Sequence, residues 1–388
     1  MINNDSAIHK ASPPTRSLLG LCIAAISLGL AACADISQPG ERSANADHGL
    51  ASSASQLTGM ISDGPIDNTF INILSLEGRT YKTIGQNQKG YFSTQLTQAA
   101  GEYPLLLTAT TNVSLKVIGD PGFTLISAII APADKHNINL TPYTTMITKV
   151  ALNMPNRLNQ ASMQRAQQIV LKQFNFGLLG SLKEDPINNK INDNNAHIMI
   201  KSGEALAEMI RRTQHDLSQA GYNYSNNDVM NALSADLSDG LLDGLSESGQ
   251  AQPRISAVAH LVAGEVAIEA ITNDLRVNEQ HITAELDYSI SSSFPSSRLR
   301  TENAHLTNEM IEQAYLATKT AGEIIPSPHL SIIKSRLRQL TAFTQPERAR
   351  RELPPSSKGY LNNVITYIAS ASEQEIKRVN RLSTQNRI

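Results

Sequence analysis

The residue pattern of this chain changes once, at Thr141-Pro142, and the change separates two classes of structure. From Leu57 to that point, short segments rich in Ile, Val, Leu, Thr and Tyr are bounded by Gly, Pro, Asp and Asn, which is typical of closely spaced strands. Beyond it, apolar residues recur three and four positions apart, which is typical of helices. The sequence therefore predicts an α+β fold, a small antiparallel β-sandwich over 57–140 followed by a larger all-α helical domain over 141–388.

Both halves divide further into predicted elements. Strands are predicted near 57–62, 68–75, 79–84, 90–96, 103–110, 112–118 and 123–131, the last running on as an extended stretch to Leu140. Later helices are predicted near 225–238, 253–280, 307–324, 327–344, 357–370 and 373–383, with irregular stretches at 174–192, 281–306 and 345–356. Thr141, Ser225 and Thr307 are suited to be N-caps, and Pro142 is suited to the first helical position.

The first thirty-two residues are predicted to be a secretion signal. Lys10 and Arg16 supply the positive charge that precedes an uncharged apolar run over 17–32, SLLGLCIAAISLGLAA. That run is shorter than the ~18 apolar residues that a membrane-spanning helix needs. No later stretch is expected to be long or apolar enough to span a membrane, so the mature chain is predicted to lack a transmembrane helix.

The end of the signal, Leu30-Ala31-Ala32-Cys33, resembles the lipobox of bacterial lipoproteins, in which the cysteine is acylated and becomes the first residue of the mature chain. The other cysteine, Cys22, lies within the signal, so the mature chain keeps one thiol, at Cys33, and that fits acylation. Two or more acyl chains anchor a protein stably in a membrane. The alternative is an ordinary secretory signal that is cut near Ala32.

The residues after Cys33 indicate the membrane in which the protein is anchored, and they predict a flexible tether. In enterobacterial lipoproteins an Asp in the next position implies retention in the inner membrane, so Ala34 favours the outer membrane. The chain from Ala34 to Gln56 is rich in Ser, Ala, Gly and Asn and has almost no apolar periodicity. Residues 33–56 are therefore predicted to be a lipidated cysteine and a flexible tether that hold the folded part in the cell envelope.

Two segments of the folded part resemble parts of known families. The run Gly59 to Ile66, GMISDGPI, with Gly90-Tyr91-Phe92 further on, resembles carboxypeptidase-regulatory-like, transthyretin-like sandwich modules, although Phe70 stands where those modules have a small residue. The run Asn139 to Thr145, NLTPYTT, resembles the junction that follows such a module in uncharacterised proteobacterial lipoproteins, with Tyr143 in place of Leu. The resemblance implies a sandwich that leads into helices, and it implies no single function.

Asp236, Asp239 and Asp243 form the sharpest motif in the helical half, DLSDGLLDG, which resembles a segment of the same lipoproteins. Three carboxylates at this spacing, with glycines that permit sharp turns, are candidates for a weak calcium site. The alternative is a polar turn after a helix, because the EF-hand ligand spacing and its glutamate at the twelfth position are absent. Calcium is the one cofactor that the sequence suggests.

Catalytic motifs are mostly absent from the sequence. The nine histidines form no metal-binding spacing, and no nucleophile elbow or phosphate-binding loop is present. Ser331 and Lys334 match the Ser-x-x-Lys of penicillin-recognising enzymes, but the companion motifs are missing, so an amphipathic helix is favoured. With 4% aromatic residues and no Trp, binding based on aromatic stacking is disfavoured. No catalytic residue is therefore assigned.

The last fifty-eight residues are basic. Residues 331–388 carry eleven Lys and Arg side chains and four glutamates, a net charge of +7. Such a region could bind anionic lipid or a polyanionic polysaccharide, and the alternative is a set of solvated helix faces. Nucleic acid is excluded by the expected compartment. We expect a non-catalytic binding or assembly component of the envelope, with an envelope hydrolase and a surface adhesin or assembly subunit as alternatives.

Overall fold

The structure, a computed structural model, describes most of the chain from residue 54 onward. The described residues are 54–62, 69–85, 90–110, 122–178, 185–246, 248–277, 280–281, 306–342, 344–353 and 357–385. They belong to one compact unit, 51–388. The predicted signal, Cys33 and most of the predicted tether lie outside the described residues, as does the strand predicted at 112–118.

The first part of the compact unit is a β-sandwich of two sheets. Its strands are β1 (Ser55–Met60), β2 (Phe70–Leu74), β3 (Thr80–Gly85), β4 (Tyr91–Leu96), β5 (Leu105–Thr110), β6 (Leu125–Ile129) and β7 (Lys135–Asn137). One sheet has the order β4-β1-β7 and the other β3-β2-β5-β6. In β2, Ile71 and Ile73 are fully buried while their neighbours are not, as the alternation of a strand with one buried face requires. The predicted sandwich is therefore confirmed.

One strand pair departs from the predicted antiparallel arrangement. β7 lies parallel to β1, and an isolated bridge between Ile61 and Leu140 continues the same parallel register beyond the two strands. A Cβ atom at Gly59 would lie 1.9 Å from the carbonyl oxygen of Ile138, so only glycine lets the two segments approach this closely. The stretch predicted as extended up to Leu140 is thus a short edge strand.

The junction Asn139 to Thr145 fastens the sandwich to the first helix, α1 (Pro142–Asn153). Thr141 caps α1 by accepting the amide of Thr144, and Pro142 is the first helical residue, as predicted. The hydroxyl of Thr145 accepts the amide of Ile126 at 2.9 Å, which links α1 to strand β6.

The Tyr143 hydroxyl, fully buried, donates to the carbonyl of Phe174 at 2.9 Å and accepts the amide of Phe176 at 3.1 Å. Tyr143 therefore does what Leu could not, since it satisfies two buried backbone groups.

The rest of the compact unit is helical. The helices after α1 are α2 (Gln160–Gln173), α3 (Ala196–Gln219), α4 (Asn226–Asp236), α5 (Pro253–Thr272), α6 (Asn308–Ile324), α7 (Pro328–Leu337), α8 (Pro346–Glu352), α9 (Ser357–Ala369) and α10 (Glu373–Gln385), with a two-stranded ribbon, β8 (Arg276–Val277) and β9 (Gln280–His281), after α5. Ser225 and Thr307 cap α4 and α6 as predicted. Helix α5 is central, because it packs against α3, α4, α6, α8, α9 and α10. A Cβ atom at Gly264 would lie 2.1 Å from that of Ala317, so glycine permits the close crossing of α5 and α6.

Three expectations about this helical part are wrong. We expected no stretch after the signal to be long and apolar enough to cross a membrane, but helix α5 is, by length and composition. Inside the protein, however, 94% of its apolar window is buried. It ends at Thr272 rather than near 280, because Asn273 takes the left-handed conformation that closes a helix. The stretch predicted as irregular at 345–356 contains α8, which begins at Pro346.

Candidate functional site

The predicted calcium motif folds into a loop that is anchored by Asp236. This side chain is fully buried at the end of α4. Its carboxylate accepts the amides of Asp243 and Gly244, at 3.2 and 3.0 Å, and the hydroxyl of Ser256 on α5. Burial raises the pKa of Asp236 to about 7, because desolvation outweighs the hydrogen bonds that favour the charged form.

The other two aspartates of the motif do not share this environment. Asp239 is exposed and accepts the amide of Leu241 at 2.8 Å, and Asp243 accepts the amide of Leu245 at 2.9 Å. Each is a local turn in which Asp binds the backbone two residues on. Within the part of the chain that the structure describes, no cluster of three or more His, Cys, Asp or Glu side chains could hold a metal ion. The geometry is that of a turn built on Asp236, and the calcium site stays a prediction.

The remaining sequence candidates are dispersed or lie elsewhere. Cys33 lies outside the described residues. Ser331 is exposed on α7. In the basic region, five arginines bind groups of the protein itself, namely Arg336 to the carbonyl of Glu352, Arg338 to Tyr315, Arg348 to the Glu352 carboxylate, Arg350 to the carbonyl of Thr272 and Arg378 to the carbonyl of Glu323. Much of the positive charge therefore holds helices together.

A charged cleft of about 810 Å³ opens between α3, α5 and α9. Sequence reasoning did not identify it. Arg212 binds three carboxylates there, Glu208 at 2.9 Å, Glu265 at 3.6 Å and Glu269 at 2.7 Å. Arg211 binds the second oxygen of Glu208 at 2.9 Å and forms a further ion pair with Glu204, which is 1% exposed. Arg211 and Arg212 are thus engaged by the glutamates of this charged cleft and by Glu204.

The ionisation of the charged cleft follows from this mixture of burial and pairing. Burial raises the pKa of Glu208, an effect that Arg211 and Arg212 oppose without cancelling it. Burial also raises the pKa of Asp216, at the rim. For Arg212, burial acts to lower the pKa, but the neighbouring carboxylates of Glu269 and Glu265 outweigh it and raise the pKa. Arg212 is therefore permanently charged and balances the glutamates around it.

A second cavity, of about 590 Å³, lies between the sandwich and helix α2. One wall is the end of β6 and the segment that follows it, residues 128–133. The facing wall is one side of α2, which presents Gln160, Gln164, Gln167 and Gln168 together with Met163 and Leu171. Asp185, Ile187 and Asn188 close one end, and His136 and Ile138 also line the cavity. We refer to this cavity as the amide groove.

The amide groove is close to neutral. Asp185 is the one carboxylate among its described lining residues, and it accepts the amides of Ile187 and Asn188 at 2.9 and 3.3 Å and the side-chain amide of Asn188 at 2.9 Å. Burial lowers the pKa of His136, and its buried Nε2 has no hydrogen-bond partner among the described residues. The amide groove differs from the charged cleft in charge, because it has one carboxylate and no Lys or Arg among its described lining residues.

Part of the groove could have been noticed in the sequence. Glutamines at 160, 164, 167 and 168 fall on one face of a helix, and a row of uncharged amides beside Met163 is unusual for a purely solvated face. The opposite wall could not have been inferred, because residues 128–133 meet α2 only through the tertiary fold. Comparison of the chain with protein-family models, curated proteins and solved structures found no match.

Proposed function

We propose that this chain is a lipid-anchored component of a bacterial cell envelope, held by acylated Cys33, and that it binds another envelope molecule through the amide groove. The lipobox-like run ending at Cys33 supports the anchor and, with Ala34, the outer membrane. The sandwich that leads into helices supports the resemblance to carboxypeptidase-regulatory-like lipoproteins. The single observation that carries the binding role is the amide groove, a cavity lined by four glutamines and by His136, whose buried Nε2 has no hydrogen-bond partner among the described residues.

The anchor has a direct test. The Cys33→Ser protein should take up no radiolabelled fatty acid and should leave the membrane fraction after a high-salt wash, because the apolar window of α5 is 94% buried inside the protein and is not available to the membrane. The wild-type protein should be labelled and stay with membranes. Retention of the Cys33→Ser protein on membranes after the wash would place the anchor elsewhere.

The binding role is tested by site-specific photocrosslinking in cells. A benzophenone amino acid at position 164, in the amide groove, should give a discrete adduct on irradiation. The same amino acid at position 165 is the matched control, because Arg165 is exposed on the same helix and does not line the groove. The absence of an adduct at 164, or equal adducts at both positions, would contradict binding in the groove.

An envelope hydrolase is the second candidate function, and one observation favours it. Burial raises the pKa of Glu208 and of Asp216, and both carboxyls line the charged cleft. Raised carboxyl pKa values are a feature of general acids. Against this, the two oxygens of the Glu208 carboxylate are ion-paired with Arg211 and Arg212, so the group is already engaged within the protein. Loss of a hydrolytic activity in Glu208→Gln, with unchanged folding, would favour the enzyme.

A further inference from the structure

The loop that carries the aspartate motif repeats one short unit twice. Asp239-Gly240-Leu241 and Asp243-Gly244-Leu245 each begin with an aspartate that accepts the main-chain amide of the leucine two residues on, at 2.8 and 2.9 Å. In each unit the glycine has a positive φ, 104° and 81°, which an L side chain rarely adopts. The two leucines therefore occupy equivalent places in two successive turns. We refer to residues 239–245 as the leucine loop.

Both leucines of the loop are exposed, although the loop itself is firmly attached to the protein. Leu241 is 45% exposed, and Leu245, at 63%, is the most exposed large hydrophobic side chain that the structure describes. The Asp236 carboxylate holds the loop from inside by accepting two of its amides. The hydroxyl of Ser383 on α10 donates to the carbonyl of Leu242 at 3.0 Å. Apolar groups that the fold already holds in solvent lose little freedom on binding, so the pair is suited to contact another protein.

The surface around the leucine loop carries both signs of charge, on separate elements. On the loop, Asp239 is exposed and Asp243 is half-buried. Helix α10 packs against the loop through Ser383 and exposes Lys377 and Arg381, which lie one turn apart on one face of the helix. Among the described residues neither cation has an ion pair. An acidic loop and a basic row therefore lie side by side on the surface.

We propose that the leucine loop and the basic row of α10 form the contact between two copies of this chain. Two copies related by a twofold axis place the acidic loop of each against the basic row of the other, so the same contact is made twice. The exposed leucines then pack against the methylene stems of the Lys and Arg side chains of the row. This contact does not involve the amide groove and does not rest on the proposed function.

A second copy fits this surface better than a membrane or a polyanion does. An anionic surface that approaches the basic row also meets the acidic loop beside it, which repels it. A second copy turned by 180° supplies a basic group opposite each acidic one, so both signs are matched. Each copy contributes one seven-residue loop and one face of a helix, which is at the small end of specific interfaces. We therefore expect a reversible dimer with a micromolar dissociation constant.

The test is sedimentation equilibrium of the full-length protein in a detergent that is density-matched to the solvent. The wild-type protein should show a monomer–dimer equilibrium. Asp239→Lys and Arg381→Glu should each weaken dimerisation at least tenfold, because each places like charges opposite one another in both contacts. Glu312→Lys, at an exposed position on α6, is the matched control and should dimerise as the wild type does.

A mixture of the two charge variants tests the contact without relying on loss of function alone. Asp239→Lys mixed with Arg381→Glu should dimerise again, because the reversed charges meet at one contact of the mixed pair and the native charges meet at the other. Leu245→Ser should also weaken dimerisation while the melting temperature stays unchanged, since this side chain is exposed.

Three results would overturn the proposal. The first is a wild-type protein that sediments as a monomer at the highest concentration at which it is soluble. The second is dimerisation of Asp239→Lys and Arg381→Glu with the wild-type dissociation constant. The third is a mixture of these two variants that stays monomeric although both have the melting temperature of the Glu312→Lys control. If the melting temperature of either is lowered, Leu245→Ser decides, and wild-type dimerisation of that variant overturns the proposal.

Discussion

The charged cleft and the amide groove differ in where their polar groups find partners. In the charged cleft, Arg211 and Arg212 each bind more than one glutamate, so the charges are satisfied by the fold. In the amide groove, Gln164 and Gln168 line a cavity and form no hydrogen bond to a described residue. The larger and more charged cavity is thus built to hold α3 and α5 together, and the neutral one is suited to a ligand.

The largest expected effect concerns the charged cleft. Arg212→Ala should lower the free energy of unfolding by about 3–5 kcal/mol, because it leaves Glu208, Glu265 and Glu269 buried without their shared partner. Denaturant unfolding followed by circular dichroism measures this. The matched control, Arg165→Ala on an exposed face, should change stability by less than about 0.5 kcal/mol. A small effect of Arg212→Ala would mean that the network is not structural.

Tyr143→Phe should have the next largest effect. The substitution keeps the ring but leaves the carbonyl of Phe174 and the amide of Phe176 buried without a partner, at a cost of about 2–3 kcal/mol. Thermal unfolding compared with Tyr367→Phe, at a side chain that is 45% exposed, isolates the hydroxyl. Equal melting temperatures for the two variants would show that the hydroxyl contributes nothing.

Asp236 should make stability depend on pH. Its pKa is about 7 in the folded protein against 3.8 for an unperturbed carboxyl. At a pH between these two values, the folded state therefore holds a proton that the unfolded state has lost. Stability should therefore fall as pH rises from about 4 to about 7, by at most about 1.4 kcal/mol per pH unit. Asp236→Asn should flatten this slope, whereas Asp239→Asn, at an exposed position, should preserve it. An unchanged slope in Asp236→Asn would assign the titration to another group.

Calcium should have the smallest effect. Ligand at ~100 times its dissociation constant would add ~2.7 kcal/mol to stability. We expect no shift in melting temperature with added calcium, since both oxygens of Asp236 already bind Gly244 and Ser256. A rise that disappears in Asp239→Ala would show that the motif is a calcium site after all.

Local features of the fold were predictable from the sequence, and features that depend on distant contacts were not. The N-caps at Thr141, Ser225 and Thr307 were found because capping needs only neighbouring residues. The parallel pairing of β7 with β1 was missed, since it joins segments about eighty residues apart. The sequence shows Tyr143 where the junction it resembles has Leu, but it does not show which two backbone groups the Tyr143 hydroxyl binds.

The two cavities were invisible in the sequence for different physical reasons. Glu204, Glu208, Arg211 and Arg212 have the three- and four-residue spacing of a solvated helix face, and only their burial against α5 distinguishes them from one. The calcium interpretation relied on aspartate spacing along the chain, which does not show that Asp236 points into the core. The lipobox-like run that ends at Cys33 is a short contiguous pattern, which can be read without a folded structure, and the acylation of Cys33 stays a prediction.

The central claim is that the glutamine row of the amide groove is present for a ligand and not for the fold. The measurement that tests it most directly compares the free energy of unfolding and the photocrosslink at position 167 in the double variant Gln164→Ala, Gln168→Ala. The account predicts that stability stays within about 0.5 kcal/mol of the wild type, because neither side chain forms a hydrogen bond to a described residue, while the crosslink is lost. A large loss of stability with the crosslink retained would contradict it.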